Sequence, residues 1–266
     1  MNVSELYQYC NYMTNKDIRG NFTTPEQYNI LLNTVNLELF KTEADKLFKK
    51  HLANQQANVT PLALISPLRD LIEIQTDFTV ADGAFDVPDD YKHFLSMMVH
   101  YGGSLRNLEL VTEEEFNSIR TGLSRRNIVE YPAGVERSRK IYFLPNDIDL
   151  AERFGVGTQM VYIKLPTTPY YDYCIDSDGN TIYMPDGYYV DLVASVYNLY
   201  DGDDTLIEAN VTYPNYSTSP TVSSTNQLDW GEDYHPYFAH RLLEKAGIPI
   251  KEELLEQFAQ LKTQNE

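Results

Sequence analysis

The segment Ala84–Tyr101 reads AFDVPDDYKHFLSMMVHY, and the expected fold is organised around it. Phe85 and Val87 indicate the end of an extended segment, and Pro88 predicts a turn into a helix, because proline is tolerated in a first helical turn. Apolar side chains then recur with helical spacing at Tyr91, Phe94, Leu95, Met98 and Val99. The pattern predicts a buried helix entered from a strand, on which a sheet and other helices can pack. No side chain in it requires a chemical role.

The acidic composition restricts the possible partners. The chain of 266 residues has 39 Asp and Glu against 21 Lys and Arg, a formal net charge of −18. Such a surface repels a phosphate backbone, so specific nucleic-acid binding is not expected. By itself the acidic surplus is typical of a solubility feature. The 42% hydrophobic content and the 21 tyrosines predict a folded chain.

The termini and cysteines predict a cytoplasmic site of synthesis. The N-terminal residues MNVSELYQYCNYM have neither a basic region nor an apolar run, so no secretory signal is expected. No window approaches the roughly 20 apolar residues that span a bilayer. Cys10 and Cys174 are expected to be free thiols in a reducing compartment, with one long-range disulfide as the alternative. These features predict a soluble protein with no membrane contact.

Two N-terminal helices precede the central segment. Residues 2–15 predict the first, and Thr24-Pro25-Glu26-Gln27 predicts the start of the second, with Thr as the cap and Gln three positions later. The second helix is expected to end near His51, with a length on the order of 40 Å. Thr60-Pro61 predicts a short helical piece, and the alternation over Leu71–Val80 predicts a half-buried strand.

The middle of the chain reads as β-rich. Asn107–Val111 predicts a strand, and the capping arrangement at Thr112 predicts a helix that ends near Gly122. Short β-prone runs separated by Pro and Gly follow, as in a small antiparallel sheet or barrel, at Ile128–Tyr131, Lys140–Leu144, Gln159–Leu165, Tyr170–Ile175 and Thr181–Met184. Gly187–Tyr200 favours a helix, with a strand as the alternative.

The expected fold class is α+β, with N- and C-terminal helices forming a helical bundle and an antiparallel β-rich middle (small sheet, sandwich or barrel) inserted between them. Residues 210–228 are rich in Ser, Thr, Asn and Pro and predict an exposed arm outside the core. Helices are expected over 233–246, before Gly247, and over 250–264. One composite domain is expected, divided into N-terminal helices (1–70), a strand–helix segment (71–126), the β-rich middle (127–209), the arm (210–230) and C-terminal helices that pack back on the first (231–266).

No motif predicts catalysis, a cofactor or a metal. Asp176-Ser177-Asp178-Gly179-Asn180 resembles the start of a calcium loop, but the required Gly and Glu positions are not met, and an Asp-Gly β-turn explains the same residues better. The five histidines show no zinc-ligand spacing. Neither cysteine has a nearby histidine that would activate it as a nucleophile. The chain is therefore not expected to be an enzyme.

Tyrosine is the remaining signal, since it is enriched where proteins contact each other, although core packing is expected to account for more than half of the tyrosines. The sole tryptophan, Trp230, is expected to anchor the arm against the bundle. The residues assigned to a partner interface are Tyr213, Tyr216, Trp230, Tyr234, Tyr237 and Phe258.

Three phrases in order resemble the head-to-tail adaptor (connector) proteins of tailed bacteriophages. The phrase FDVPDDYKHFLSMMV is similar to the stretch that opens a helix in that family, and KIYFLPND with TQMVYIKLPTTPYY is similar to its middle section. The third phrase, LDWGEDYHPYFAHRLLEKAGIPIKEELLEQF, is similar to the acidic and aromatic start of its terminal helix. The Asn-, Tyr- and Asp-rich style also resembles crAss-like phages.

The resemblance implies a structural virion protein, made in the host cytoplasm and located in the neck. It implies a 12-fold ring that contacts the portal protein and further neck or tail rings, joins capsid to tail, and lines the channel through which DNA passes. An acidic lumen would let DNA slide without sticking. The alternative from another class is a secreted or surface glycan-binding module, suggested by the tyrosines and the acidic turns.

Overall fold

The computed structural model describes residues 2–15, 24–53, 67–76, 78, 80–81, 83–101, 104–122, 130–145, 158–193, 195–214 and 220–247. This part of the chain is mostly sheet, so the expected helical bundle with a small inserted sheet is wrong. The helices are α1 (Val3–Asn15), α2 (Pro25–Ala53), α3 (Glu113–Arg120) and α4 (His235–Lys245), with short 3-10 turns at Pro67–Leu71 and Glu232–Tyr234. No helix in these ranges is long and apolar enough to cross a membrane.

Fourteen strands form three sheets in the described ranges. The strands are β1 (Ile72–Gln75), β2 (Val80–Ala81), β3 (Ala84–Asp86), β4 (Tyr91–Tyr101), β5 (Ser104–Leu110), β6 (Ala133–Arg137), β7 (Lys140–Leu144), β8 (Gln159–Lys164), β9 (Tyr173–Ile175), β10 (Thr181–Tyr183), β11 (Tyr189–Val193), β12 (Val196–Tyr200), β13 (Leu206–Glu208) and β14 (Thr221–Val222).

The chain divides into two compact units. The sheet unit, Leu71–Leu165, contains an eight-stranded sheet in the order β1-β8-β4-β5-β6-β7-β3-β2, in which β5 and β6 are parallel and the other neighbours antiparallel. One face of this sheet carries a core of buried side chains: Phe85, Val87, Met97, Val99, Leu108, Ile141, Phe143, Met160 and Tyr162. The strands expected at Leu71–Val80, Asn107–Val111, Lys140–Leu144 and Gln159–Leu165 are confirmed in whole or in part.

The helix expected after Pro88 is wrong, because this segment is the eleven-residue strand β4. Its pairing with β8 shifts register twice, between Tyr91 and His93 and between Phe94 and Ser96. Each bulge adds a residue, so the core-facing side chains lie three, three and two residues apart, at Tyr91, Phe94, Met97 and Val99. The first two intervals equal a helical i, i+3 step, which explains why the sequence imitates a helix.

The helix expected at Thr112 is confirmed as α3. The Thr112 side chain accepts a hydrogen bond from the backbone N–H of Glu115, which satisfies one of the unpaired donors of the first turn. Phe116 and Ile119 are buried, so the helix covers part of the unit's second cluster of apolar side chains. Gly122 follows with a φ of 73°, a conformation that ends the helix at low cost only for glycine.

The second unit, here called the helix unit, consists of Met1–Asp70 and Pro166–Glu266. Both N-terminal helices are confirmed, and so is the capping box, in which Thr24 and Gln27 exchange hydrogen bonds between side chain and backbone. Helix α4 contacts α1 and α2. The helical pieces expected near Thr60-Pro61 and over 250–264 lie outside the described residues.

The described part of the helix unit also contains two sheets. A hairpin joins β9 to β10, and four strands form a separate sheet in the order β13-β12-β11-β14, called the four-stranded sheet below. The helix favoured for Gly187–Tyr200 is wrong, and the strand alternative is right, because this segment is the β11–β12 hairpin. Ser195 in its turn adopts a left-handed φ of 69° without a glycine, so the usual hairpin signal is missing from the sequence.

The expected arm is partly integrated into this unit. Val211 and Tyr213 belong to the buried cluster under the four-stranded sheet, and β14 pairs with β11. The expectation that residues 210–228 contribute nothing to the core is therefore wrong at these positions. Isolated antiparallel bridges pair Thr212 with Ile175 and Asn226 with Tyr170. Main-chain hydrogen bonds therefore attach this segment to the rest of the unit.

Candidate interaction surface

Exposed apolar side chains concentrate on the four-stranded sheet. Twelve large apolar side chains of the described ranges are exposed, and five belong to this sheet: Leu192, Val193, Leu206, Ile207 and Val222. Leu206 and Val222 expose 51% and 57% of their surface. Single exposed apolar residues are common, but Val193, Leu206 and Val222 lie on one face of this sheet, and such a group is typical of a surface that contacts another molecule.

The strand register places four of the sheet's side chains in one line. Val222 is the direct partner of Tyr189, Tyr189 of Tyr200, and Tyr200 of Leu206, so each strand contributes one residue. Side chains of directly paired residues lie on the same face of a sheet. This set, called the outer row, covers about 14 Å at the usual strand spacing. It forms the centre of the candidate surface.

The two tyrosines of the outer row stack on each other. The ring centroids of Tyr189 and Tyr200 are 5.2 Å apart, and the ring planes differ by 14°. The Tyr189 hydroxyl donates a hydrogen bond of 2.7 Å to Asp204 Oδ1, and this bond to a carboxylate raises the pKa of Tyr189 to about 12. Each ring therefore turns one face toward its neighbour, and the Tyr189 hydroxyl stays protonated at neutral pH.

The opposite face of the same sheet is a core face. Val190 and Leu199 alternate with the two tyrosines along β11 and β12 and are completely buried. They pack in one cluster with Cys174, Met184, Val211 and Tyr213. This face is covered by its own unit at Val190 and Leu199, while Leu192 near its end stays exposed. The outer row can therefore be buried by a partner without disturbing the core.

Acidic side chains border the outer row. Asp191 and Asn198 form the next directly paired positions on that face. Beyond the β12 end, Asp201 Oδ1 accepts the backbone N–H groups of Asp203 and Thr205 at 2.9 and 2.8 Å. These hydrogen bonds stabilise the turn that begins at Asp201, as Asp side chains commonly do. The border combines carboxylates with an amide.

Much of the acidic surplus of the whole chain falls in the sequence stretch that contains this sheet. Residues 165–240 contain no lysine or arginine. They contain twelve acidic residues: Asp172, Asp176, Asp178, Asp186, Asp191, Asp201, Asp203, Asp204, Glu208, Asp229, Glu232 and Asp233. A count of charges along the chain would have found this stretch, which the totals conceal. Two of its members, Asp191 and Asp204, place carboxylates next to the outer row.

Two of the sequence-predicted interface residues are buried inside the helix unit. The Tyr213 hydroxyl donates to Asp172 Oδ2 at 2.7 Å, and burial together with this bond raises the pKa of Tyr213. The Trp230 indole N–H donates to Asn36 Oδ1 at 2.7 Å. The tryptophan thus joins the segment after β14 to helix α2, in line with the anchoring role expected of it.

The next two predicted residues lie beside that tryptophan. The Tyr234 ring stacks on Trp230 at 5.1 Å, and its hydroxyl donates to Glu43 Oε1 at 2.8 Å. The Tyr237 hydroxyl accepts a hydrogen bond from Arg241, whose guanidinium also lies over its ring. An interface role for these residues stays a prediction, and none of them belongs to the outer row. Tyr216 and Phe258 lie outside the described residues.

The acidic loop at Asp176 and the two cysteines, which the sequence offers as candidates for metal binding or nucleophilic chemistry, have structural roles in the described residues. Asp176 Oδ1 accepts the backbone N–H groups of Asp178 and Asn180, which confirms the Asp-Gly turn between β9 and β10. Hydrogen bonds from Asn180 lower the pKa of Asp176. Cys10 and Cys174 are buried thiols, and burial raises the pKa of each to about 12. Within the described residues no group of three His, Cys, Asp or Glu could hold a metal ion.

No protein-family model and no curated protein matches this chain. The function proposed below therefore depends on the surface, on the charge distribution and on the sequence phrases described first.

Proposed function

We propose that this chain is a structural subunit of the neck of a tailed bacteriophage. In this proposal it assembles as a closed ring of identical copies, joins the portal and capsid to the tail, and surrounds the DNA channel. It works through contacts between surfaces and catalyses no reaction. The observation that carries the proposal is the outer row, exposed at Leu206 and Val222, on a sheet whose other face packs into the core of its own unit.

The charge distribution supports the same proposal. DNA passing through a channel must not bind its wall, and a wall without cations satisfies that condition. The stretch 165–240 is suited to such a wall, since it has twelve acidic residues, of which Asp172 is buried, and neither lysine nor arginine. The proposal does not require all of it to face the channel.

The family resemblance supports the proposal less evenly. The phrase around Pro88 was compared with a stretch that opens a helix, whereas here it leads into strand β4. The middle phrases fall on β7 and β8, and the closing phrase begins at the turn before α4. The middle and closing phrases therefore remain the useful part of the comparison.

The deciding measurement is the copy number of the assembled protein. The purified chain is examined by mass photometry, and virions containing it are examined by electron microscopy of the neck. We expect particles of about twelve times the chain mass of 30.6 kDa, and one closed ring per neck. Monomers alone in assembled virions, or a location away from the neck, would contradict the proposal.

The glycan-binding alternative has one feature in its favour, because Tyr189, Tyr200, Asp191 and Asn198 share the outer face of the four-stranded sheet. Sugars stack on open aromatic faces and bind to carboxylates and amides nearby. Here each tyrosine has one face against the other, which reduces the open area. A glycan-array signal that Tyr200→Ser abolishes would establish this alternative over the neck proposal.

A further inference from the structure

We propose that the outer face of the four-stranded sheet docks a basic protein surface that carries apolar side chains. The inference goes beyond the neck-ring function, because it specifies the chemistry of the partner and the face it covers. It would hold for any assembly in which this chain takes part. Its basis is the outer row together with the charges that surround it.

The apolar part of the partner follows from the row itself. Val222 and Leu206 lie at its two ends and are more than half exposed, and the stacked tyrosines lie between them. Water is displaced favourably only by groups that are themselves apolar. At about 14 Å, the row can be covered by a short extended or helical segment of a partner. Val193, at the end of β11 on the same face, extends the apolar area.

The basic part of the partner follows from charge complementarity. Asp191 lies on this face and the Asp204 carboxylate accepts the Tyr189 hydroxyl, and both belong to the stretch 165–240, which has no lysine or arginine. A partner rich in lysine or arginine gains attraction and a faster encounter, whereas an acidic partner is repelled. Nucleic acid and anionic membrane surfaces are disfavoured for the same reason.

A second copy of this chain docked face to face is a poorer occupant. Two identical outer faces would bring like charges together, and the whole chain carries −18. Like-charge juxtaposition at an interface costs several kcal/mol, which apolar contact over one short row would have to offset. The inferred occupant is accordingly a different protein, such as the component above or below in the proposed assembly, and the contacts between ring copies would use other surfaces. Self-association through this face is an outcome that the experiment can detect.

The test uses the full chain with defined peptide probes. A peptide of roughly ten residues that alternates Lys with Val and Tyr is titrated into methyl-labelled protein, and the Leu206, Val222 and Val193 methyl resonances are followed. Two matched peptides replace Lys by Glu, or Val and Tyr by Ser. We expect binding that shifts these methyl groups for the first peptide and binding at least about tenfold weaker for each matched peptide.

Variants and salt separate the two parts of the proposal. Leu206→Ser should lower the affinity for the first peptide on the order of tenfold. Ile74→Ser, at an exposed apolar position of the sheet unit, should leave that affinity unchanged. Raising sodium chloride from about 50 mM to about 500 mM shortens the Debye length from roughly 14 Å to roughly 4 Å and should also weaken binding. Unchanged thermal melting of both variants establishes that they are folded.

Several results would overturn the inference. Equal binding of the Lys–Ser peptide would mean that charge alone is recognised, and equal binding of the Glu peptide would mean that charge plays no part. Sedimentation showing dimers that Leu206→Ser dissociates would make a second copy the occupant. Oligosaccharides that shift the same methyl groups, when the first peptide does not, would make the face a sugar site.

Discussion

Replacing Asp172 tests how the segment after β13 is held in the helix unit. The carboxylate is completely buried, and its Oδ2 accepts the Tyr213 hydroxyl at 2.7 Å and the Ser224 N–H at 2.8 Å. Oδ1 accepts the N–H of Tyr173, next to it in the chain, at 3.0 Å. One side chain beside β9 thus satisfies donors from two separate parts of the segment between β13 and α4.

The expected cost follows from the donors that lose their acceptor. Asp172→Ala removes the acceptor of three hydrogen bonds, each worth roughly 1–3 kcal/mol when a buried donor is left unsatisfied. Water that enters the vacated space would satisfy some of these donors, so we expect the free energy of unfolding to fall by about 3–5 kcal/mol. Asp172→Asn keeps the shape but not the charge and should cost about 1–2 kcal/mol, and Tyr213→Phe, which removes one donor, about 1 kcal/mol.

Urea unfolding followed by Trp230 fluorescence measures these losses, because this only tryptophan is buried in the same unit. A loss of about 3–5 kcal/mol is a large part of the usual 5–15 kcal/mol of a folded domain, so Asp172→Ala should unfold at much lower urea. The control is Asp178→Ala, at an exposed turn position, which should change stability by less than about 0.5 kcal/mol. If Asp172→Ala costs no more than Tyr213→Phe, the carboxylate does not organise this segment.

Three further predictions concern other parts of the chain. Thr112→Ala removes the α3 cap and should destabilise the sheet unit by about 1 kcal/mol in urea unfolding, whereas Thr112→Ser should not. Gly134→Ala would place a Cβ 2.9 Å from a buried Leu108 methyl carbon and should cost about 1–3 kcal/mol, measured as a lower melting temperature. Cys10 and Cys174, with pKa values near 12, should resist a thiol reagent at pH 8 and react once urea unfolds the chain. Because burial raises the folded-state pKa of each thiol, only the unfolded chain loses these protons between about pH 9 and pH 12. The free energy of unfolding should therefore be unaffected by the thiols below about pH 9 and should fall as the pH rises toward 12.

Local signals in the sequence were sufficient for the helices and for several strands. The box at Thr24 and the cap at Thr112 each identified a helix start, because those hydrogen bonds join residues three positions apart. The run Lys140–Leu144 coincides with β7. In each case the interaction that fixes the structure lies within one short stretch, so the sequence contains it in full.

The fold class was missed where a strand departs from simple alternation. In β4 two bulges change the spacing of the core-facing side chains, and in the β11–β12 hairpin the turn contains Ser195 in a left-handed conformation that sequences usually mark with glycine. A bulge depends on the partner strand, and β8 lies some 60 residues further along the chain. Spacing within one segment contains no information about such a partner, so the sequence pattern predicts a helix for both segments.

The candidate surface depends on the same long-range information. Only the registers of four strands bring Val222 and Leu206 into one row. Which face of the sheet is the core face is known only from the burial of Val190 and Leu199. The aromatic content of the sequence selected Tyr213 and Trp230, which are buried within the helix unit. The charge signal, in contrast, was local: a stretch without a single cation needs no fold to be recognised. The proposed partner must match both the apolar row, which strand register creates, and the acidic residues beside it. Loss of either the apolar or the basic side chains of the partner should therefore weaken its binding.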